Sequence, residues 1–292
     1  MSGVSLPLRR QLFAEELDAL CGFRTAGLVE AFAAVPREHF LPPGPWNVLS
    51  LDAIVPGAMS RPRVTADSDP GRVYHNIGIA IDLSRQLFNG HPSTLASWID
   101  ALALTPGARV LHVGCGPGYY TAIMAHVVGR SGAVTAIEVD EELATQAGTN
   151  LASMPWVSVV NGDGSTPDAG PLDAILVNAG VTHPRAEWLD ALAAGGRLLL
   201  PLTVAMPAMG ATLGKGSMLL ITRESDDNFS VRPSGFLAIY SAIGLRDAAI
   251  EQALGRAMAK TPIPPVTRIR RDPHAPSDSC WLHVDGACLS TS

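Results

Sequence analysis

Apolar positions recur along this chain in two patterns: faces at near-helical spacing and short unbroken runs. Leu8, Leu12, Leu17 and Leu20 predict a helix over Leu6 to Cys21. Ala26 to Val35 predicts a second, capped by Thr25 and stopped by Pro36. Leu41 to Asp69 holds no period and is rich in Pro and Gly, so a long ordered loop or a mobile lid is expected. Val73 to Asp82 predicts a short strand. Pro92 and Ser93 stand where a helix begins, with Leu95, Trp98, Ile99 and Leu102 on its apolar face.

From Arg109 the runs shorten and alternate with helix-length segments. Val110, Leu111 and Val113 lack a polar face, as in a strand buried on both sides. Gly114, Gly116 and Gly118 follow, then a helix-length segment, Tyr119 to Val128, ended by Gly129 to Gly132. Ala133 to Val139 is a second strand, closing on Glu138 and Asp140. Val157 to Val160, Leu172 to Val177 and Leu198 to Leu202 are further runs, with a helix starting after Thr182-His183-Pro184. The stretch VAMPAMGATLGKG is glycine-rich and reads as weakly structured. Ser217 to Glu224 and Phe236 to Ile243 predict an antiparallel pair, Leu245 to Met258 a helix, and Val266 to Ser292 an added tail ending in short strands. Strands alternating with helices predict an α/β fold around a mainly parallel sheet.

Composition narrows the class. With 292 residues, 47% hydrophobic and 16% charged, the chain can bury a core in one or two domains. The net charge is −6, there are two lysines, and the sole basic run is Arg268 to Arg271, so no nucleic-acid partner is expected. No apolar run reaches about 18 residues, so no membrane span is expected. The opening MSGVSLPLRRQLFAEEL lacks a signal peptide's apolar stretch, and four cysteines are too few for a disulfide scaffold, so a cytoplasmic protein with reduced thiols is expected.

A Gly-rich turn between strand and helix lets backbone N–H groups approach a ligand at the positive end of the helix dipole. An acidic residue ending the next strand can accept both ribose hydroxyls. Gly114 and Glu138 lie 24 residues apart, near the roughly 20 such a unit uses. In the tail, Cys280, His283 and Cys288 form C-x2-H-x4-C, with a fourth metal ligand to come from His274 or elsewhere. The spacing is not a pair of C-x2-C clips, and core thiols with no metal are expected.

The segments VLHVGCGPGYYTA, AIEVD, GDG, LDAILVNAG and AAGGRLLLPLT resemble the class I S-adenosylmethionine-dependent methyltransferases. Within these, the chain is most similar to the protein-L-isoaspartate O-methyltransferase family, whose lead-in VEAFAAVPREHFLPP resembles and whose GYQTA the segment GYYTA resembles. The resemblance spans about Leu28 to Thr203, with a weakly matched gap near 45 to 85. It implies a Rossmann-like seven-stranded sheet with helices on both faces, an N-terminal helical extension and C-terminal added strands. It implies an N-terminal helical and substrate-cleft region over 1–92, a cofactor-binding core over 93–258 and an extension over 259–292. It implies S-adenosylmethionine as cofactor, held by Gly114, Cys115, Gly116, Gly118, Tyr119, Glu138, Val139, Asp163, Gly164 and Asn178, with Asp163 at the adenine end.

The family carries a Ser/Thr-rich turn that binds the substrate carboxylate just before the helix opened by Pro92. Here Asn89 or Gly90 stands where its serine would be, and helix N–H groups there favour an anion. Asn89, His91, Ser93 and His183 are the substrate-positioning candidates; no catalytic residue is assigned. His112, where the family has an acidic residue, is expected to be a hydrogen-bonded core histidine. The implied reaction is O-methylation of a carboxylate on a peptide or protein. A carboxylate is ionised near pH 7 and requires no base. A hydroxyl or amine acceptor would call on His91, His183 or His112. Alternatives are a small-molecule or natural-product methyltransferase, a non-catalytic cofactor binder, and a nicotinamide oxidoreductase. The last is disfavoured because no tyrosine has a lysine four residues on.

Overall fold

The computed structural model describes residues 4–50, 62–166, 170–206 and 212–292. Two helices, α1 (Leu6–Cys21) and α2 (Leu28–Ala34), lead the chain. A small antiparallel sheet follows, built from β1 (Asn47–Leu49), β2 (Arg63–Val64), β3 (Gly78–Asp82) and β4 (Leu87–Phe88) in the order β2-β1-β3-β4. Next come α3 (Pro92–Ala101), β5 (Arg109–Val113), α4 (Tyr119–Val128), β6 (Ala133–Glu138), α5 (Glu141–Asn150) and β7 (Val157–Asn161). After these lie β8 (Leu172–Val177), α6 (Ala186–Ala191), β9 (Leu192–Ala205), β10 (Leu213–Ser225) and β11 (Asn228–Tyr240). The chain ends with α7 (Ala248–Lys260), β12 (Arg268–Arg270), β13 (Cys280–Leu282) and β14 (Cys288–Ser290).

The central sheet has ten strands in the order β13-β14-β12-β11-β10-β9-β8-β5-β6-β7. Strands β5 to β9 run parallel, and every pairing outward from β9 is antiparallel. Successive side chains of a strand point to opposite faces, and the two cores divide accordingly. Val110, Ala174, Leu176 and Leu199 join one core with Phe13, Phe32, Trp98 and Ile123. Leu111, Val113, Ile175, Val177, Leu198 and Leu200 join the other with Trp188, Phe229 and Leu254. The unbroken apolar runs are therefore buried on both sides. Connections leave β5 toward β6 on one side and arrive at β8 on the other, and a crevice opens at such a switch point.

Several expectations change. Thr25 does not cap α2: Gly27 holds the cap position, while the Thr25 N–H and hydroxyl bond the Asp100 carboxylate at 2.7 Å and the Asp100 carbonyl at 3.2 Å. The expected loop over 41–69 contains β1 and β2, and its residues 51–61 lie outside those described. Of 73–82, only Gly78–Asp82 is strand. β9 begins at Leu192, because a bulge at left-handed Gly195 lets pairing jump from Leu172↔Leu192 to Ala174↔Arg197. β11 begins at Asn228, after the two-residue turn Asp226-Asp227, with Phe229 and Val231 buried in its polar-looking first half. Parts of VAMPAMGATLGKG are strand: Val204 and Ala205 in β9, Leu213 to Gly216 in β10; residues 207–211 lie outside those described. The tail strands join the main sheet through β12 on β11 (Phe229↔Ile269). Among the described residues, no helix is long and apolar enough to cross a membrane.

Candidate active site

A crevice of about 2140 Å³ lies at the carboxyl ends of β5, β6 and β8. Its floor is the turn after β5. Gly114 (φ 78°) and Gly116 (φ 53°) adopt the left-handed conformation that a side chain disfavours. At Gly114 a Cβ would come within 3.3 Å of the Asn178 carbonyl oxygen, so glycine is what lets the ends of β5 and β8 approach. Gly118 (φ 98°) caps α4, and its missing side chain makes room for Leu151 of the neighbouring turn.

Glu138, 7% exposed, ends β6 beneath this turn. Its Oε2 accepts the Gly116 N–H at 2.8 Å and its Oε1 the Asp140 N–H at 3.2 Å. Two backbone donors leave carboxylate lone pairs for two further hydroxyls. Asp140 caps α5 through Leu143 N–H (3.1 Å) and pairs with Arg85 at 2.7 Å. That ion pair and Tyr240 fasten the β3–β4 hairpin across the crevice. The Tyr240 hydroxyl donates to the Gln86 carbonyl at 2.5 Å and accepts the Phe88 N–H at 3.0 Å.

Behind the lining residue Asn89, Arg37 is fully buried. Its guanidinium donates to the carbonyls of Val73 (2.6 Å), His75 (3.0 Å) and Ile77 (2.7 Å) and to Oδ1 of Asn89 (3.3 Å). Ile79 N–H also donates to that Oδ1, at 3.0 Å. Both neighbours are donors, so the atom between them must be the amide oxygen, and the Asn89 Nδ2 is left as a buried donor with no partner among the described residues. The hydroxyls of Tyr119 and Tyr120 are likewise buried without partners among the described residues, their rings meeting edge-on at 5.0 Å. Burial pushes both tyrosine pKa values up, Tyr120 to about 12.

Of the sequence candidates, Asn89, His91, Gly114, Cys115, Gly116, Tyr119, Glu138, Val139 and Asn178 line this crevice; Ser93, Gly118, Asp163, Gly164 and His183 do not. Asp163 turns its carboxylate to the Ser165 N–H at 2.8 Å and lies against Gly244, where a Cβ would come within 2.8 Å of it. Gly164 packs on Val113, and its carbonyl accepts the Trp188 indole N–H at 2.8 Å. His183 bonds Thr182 at 2.9 Å, and burial lowers its pKa. His112 is fully buried and bonds Thr121 at 2.9 Å, and desolvation lowers its pKa to about 3, so it is a neutral core residue. The N–H groups expected to hold an anion at the start of α3 are largely committed. Pro92 has none, Ser93 N–H donates to the Asn76 side chain at 2.9 Å, and Leu95 N–H to the His91 carbonyl at 3.1 Å. Arg37, Arg85 and Tyr240 were not foreseen. Arg37 lies inside VPREHFLPP, part of the segment that resembles the family's lead-in, whereas nothing local marks Arg85 or Tyr240.

Away from the crevice, His274 joins Cys280, His283 and Cys288, with one ligand atom from each within 4.8 Å of all the others. The sequence pattern offers these four as possible ligands but leads to an expectation of core thiols without metal; the structure brings all four donor atoms together.

The family described as protein-L-isoaspartate(D-aspartate) O-methyltransferase (PCMT) matches residues 57–209. The chain is 35% identical over 233 residues to a protein-L-isoaspartate O-methyltransferase of Methylorubrum extorquens, covering 77% of this chain and 86% of that protein. It is 33% identical over 225 residues to protein-L-isoaspartate O-methyltransferase 1 of Rhodopseudomonas palustris, covering 75% and 76%. A solved protein-L-isoaspartate O-methyltransferase aligns with TM-score 0.63 at 23% identity over 86% of this chain and 69% of that one. A β-aspartate methyltransferase from Plasmodium falciparum, solved with S-adenosyl-L-homocysteine, aligns with TM-score 0.57 at 16% identity over 80% and 98%. These two likenesses speak to the fold.

Proposed function

The chain belongs to the protein-L-isoaspartate(D-aspartate) O-methyltransferase family, and from that premise we propose that it methylates the carboxylate of an isoaspartyl-type residue in a peptide or protein, with S-adenosylmethionine as cofactor. The observation that carries this reading is the glycine turn closed on Glu138. The turn has no side chain where a ligand backbone must approach, and the Glu138 carboxylate retains acceptor capacity in a buried place. Such a cradle fits a nucleoside with two free ribose hydroxyls. Bound there, the cofactor supplies an electrophilic methyl group on a positively charged sulfur.

This chain's residues do the rest. Glu138 accepts the ribose hydroxyls, and Val139 and Leu143 offer apolar surface beside it. Gly114, Cys115, Gly116, Tyr119 and Asn178 shape the floor, and Asp163, Gly164 and Gly118 support it from behind. Asn89, fixed by Arg37, donates its amide N–H to the acceptor carboxylate, the task the family gives to a serine. A carboxylate arrives ionised, so no base is required. Alignment and exclusion of water by the pinned β3–β4 hairpin can lower the barrier by several kcal/mol. Residues 93–258 act as the cofactor-binding core, residues 1–92 close the acceptor side, and 259–292 extend the sheet.

The test compares an isoaspartyl peptide with its aspartyl twin, each incubated with methyl-labelled cofactor. The expected product forms from the isoaspartyl peptide alone and releases methanol in mild base. A product whose methyl group survives alkali overturns the carboxylate reading. Calorimetry should register S-adenosylhomocysteine in the micromolar range or tighter, about −8 kcal/mol, and no binding of NAD.

A further inference from the structure

The tail contributes a second cluster of chemical groups at the far edge of the sheet from the crevice. Strands β13 and β14 end the ten-stranded order, with β12, β11, β10 and β9 between them and β8. Each of β12, β13 and β14 has three residues. Strands this short supply few ladder bonds, and among the described residues β13 leaves one edge unpaired.

Four ligand-type side chains converge at this weak place. Cys280 comes from β13, His283 follows it, Cys288 opens β14 across the Asp285-Gly286 turn, and His274 comes from the loop after β12. One donor atom from each lies within 4.8 Å of the other three. In a tetrahedral site with metal–ligand distances of about 2.0–2.3 Å, donors lie roughly 3.3–3.8 Å apart. The preformed cluster thus needs to contract by about an ångström. Cys280 Sγ and His274 Nε2 are already 3.5 Å apart.

Both imidazoles have one nitrogen engaged outward. His274 Nδ1 sits 2.6 Å from the Asp272 carbonyl, which must accept, so Nδ1 carries the proton and Nε2 presents a lone pair. His283 Nε2 lies 3.5 Å from the Asp285 carboxylate, and its Nδ1 is buried with no hydrogen-bond partner among the described residues. An imidazole whose outer nitrogen rests on a carboxylate or carbonyl is the usual support of a metal-bound histidine. A buried nitrogen without a partner is costly unless something fills its lone pair. Both cysteines are free thiols.

We propose that His274, Cys280, His283 and Cys288 bind one zinc ion that cross-links the short tail strands and the loop before them. Two sulfur and two nitrogen donors in tetrahedral reach suit zinc. With all four positions filled by protein, the ion has no open site for substrate and acts structurally. Binding deprotonates the two thiols, each losing a proton to solvent, with no change in oxidation state.

The test begins with the full-length chain purified without chelator. Elemental analysis should find one zinc per chain. Replacement by cobalt should produce the absorption of a tetrahedral ion with thiolate charge transfer. Cys280→Ser and His274→Ala should each abolish stoichiometric metal, while S-adenosylhomocysteine affinity at the distant crevice stays within about twofold, which also reports that the variants fold. Wild-type protein that binds neither zinc nor cobalt stoichiometrically, a Cys280–Cys288 disulfide found by mass spectrometry, or metal content that survives both substitutions would each overturn the assignment.

Discussion

At the scale of single residues, the crevice depends on groups whose partners decide their role. Glu138 retains acceptor capacity because only two backbone N–H groups use its oxygens. Glu138→Ala should weaken S-adenosylhomocysteine binding by about 1.5–3 kcal/mol, because charge-assisted bonds to two buried hydroxyls are lost. The fold should survive, since the residue ends a strand; an unchanged dissociation constant by calorimetry would mean the ribose is held elsewhere. Asn89 admits a sharper substitution. Asn89→Asp keeps the oxygen that Arg37 and Ile79 bind but turns the donor at Nδ2 into a negatively charged acceptor. The expected loss in kcat/KM on an isoaspartyl peptide is about 100-fold, close to 3 kcal/mol, with cofactor affinity unchanged. A variant of undiminished activity would remove Asn89 from the acceptor site. The glycines and Glu138 were legible in the sequence because their spacing is local. The Arg37–Asn89 pairing was not, because the residues are 52 positions apart and neither type is unusual by itself.

At the scale of elements, the β3–β4 hairpin is a roof tied through its turn and β4, by Arg85 to the start of α5 and by Gln86 and Phe88 to Tyr240 at the end of β11. Tyr240→Phe keeps the ring and removes both hydroxyl bonds. At about 0.5–1.5 kcal/mol each, their loss should speed amide hydrogen exchange around residues 83–89 by roughly tenfold and raise KM for the acceptor. Exchange at the wild-type rate would show that the hairpin is held by packing alone. The pattern of apolar positions placed α3, α4, β5 and β8 closely, because each carries a full apolar face or run bounded by Gly or Pro. α1 has the expected span, but Leu8, Leu12 and Leu20 of its expected face are exposed, and the buried residues are Phe13, Ala14 and Leu17. It misjudged the starts of β9 and β11. Bulged Gly195 and the polar residues of Asn228–Ser234 have no strand signature until a neighbouring strand supplies their ladder. It also missed β1 and β2, segments so short that they are strands through pairing, β1 with β3 and β2 with β1.

At the scale of the whole molecule, global stability should depend on pH through the buried histidines. Desolvation depresses the folded pKa of His112 to about 3, whereas an unfolded histidine titrates near 6.5. Below pH 6.5 the unfolded chain takes up a proton that the folded chain refuses, so this contribution is complete above 6.5 and is lost as pH falls toward 3. Between pH 7 and 5 the loss is about 2 kcal/mol, and His183, also lowered by burial, adds in the same direction. Urea midpoints at the two pH values should differ accordingly, and His112→Gln should shrink the difference; an equal pH dependence in the variant would acquit His112. The resemblance of the chain's segments to a known family implied the cofactor. The sequence alone determined the α/β class, the strand–glycine turn–helix unit and the acidic strand end. All of these are written in residues near one another, where hydrophobic period and backbone freedom act directly. Tertiary structure alone decided how the acceptor side is built, which candidates reach the crevice, and that His274 meets three tail ligands. Those depend on side chains brought together across up to 154 positions by burial of the two cores, and a contact made by folding leaves no mark in the spacing of the residues that make it.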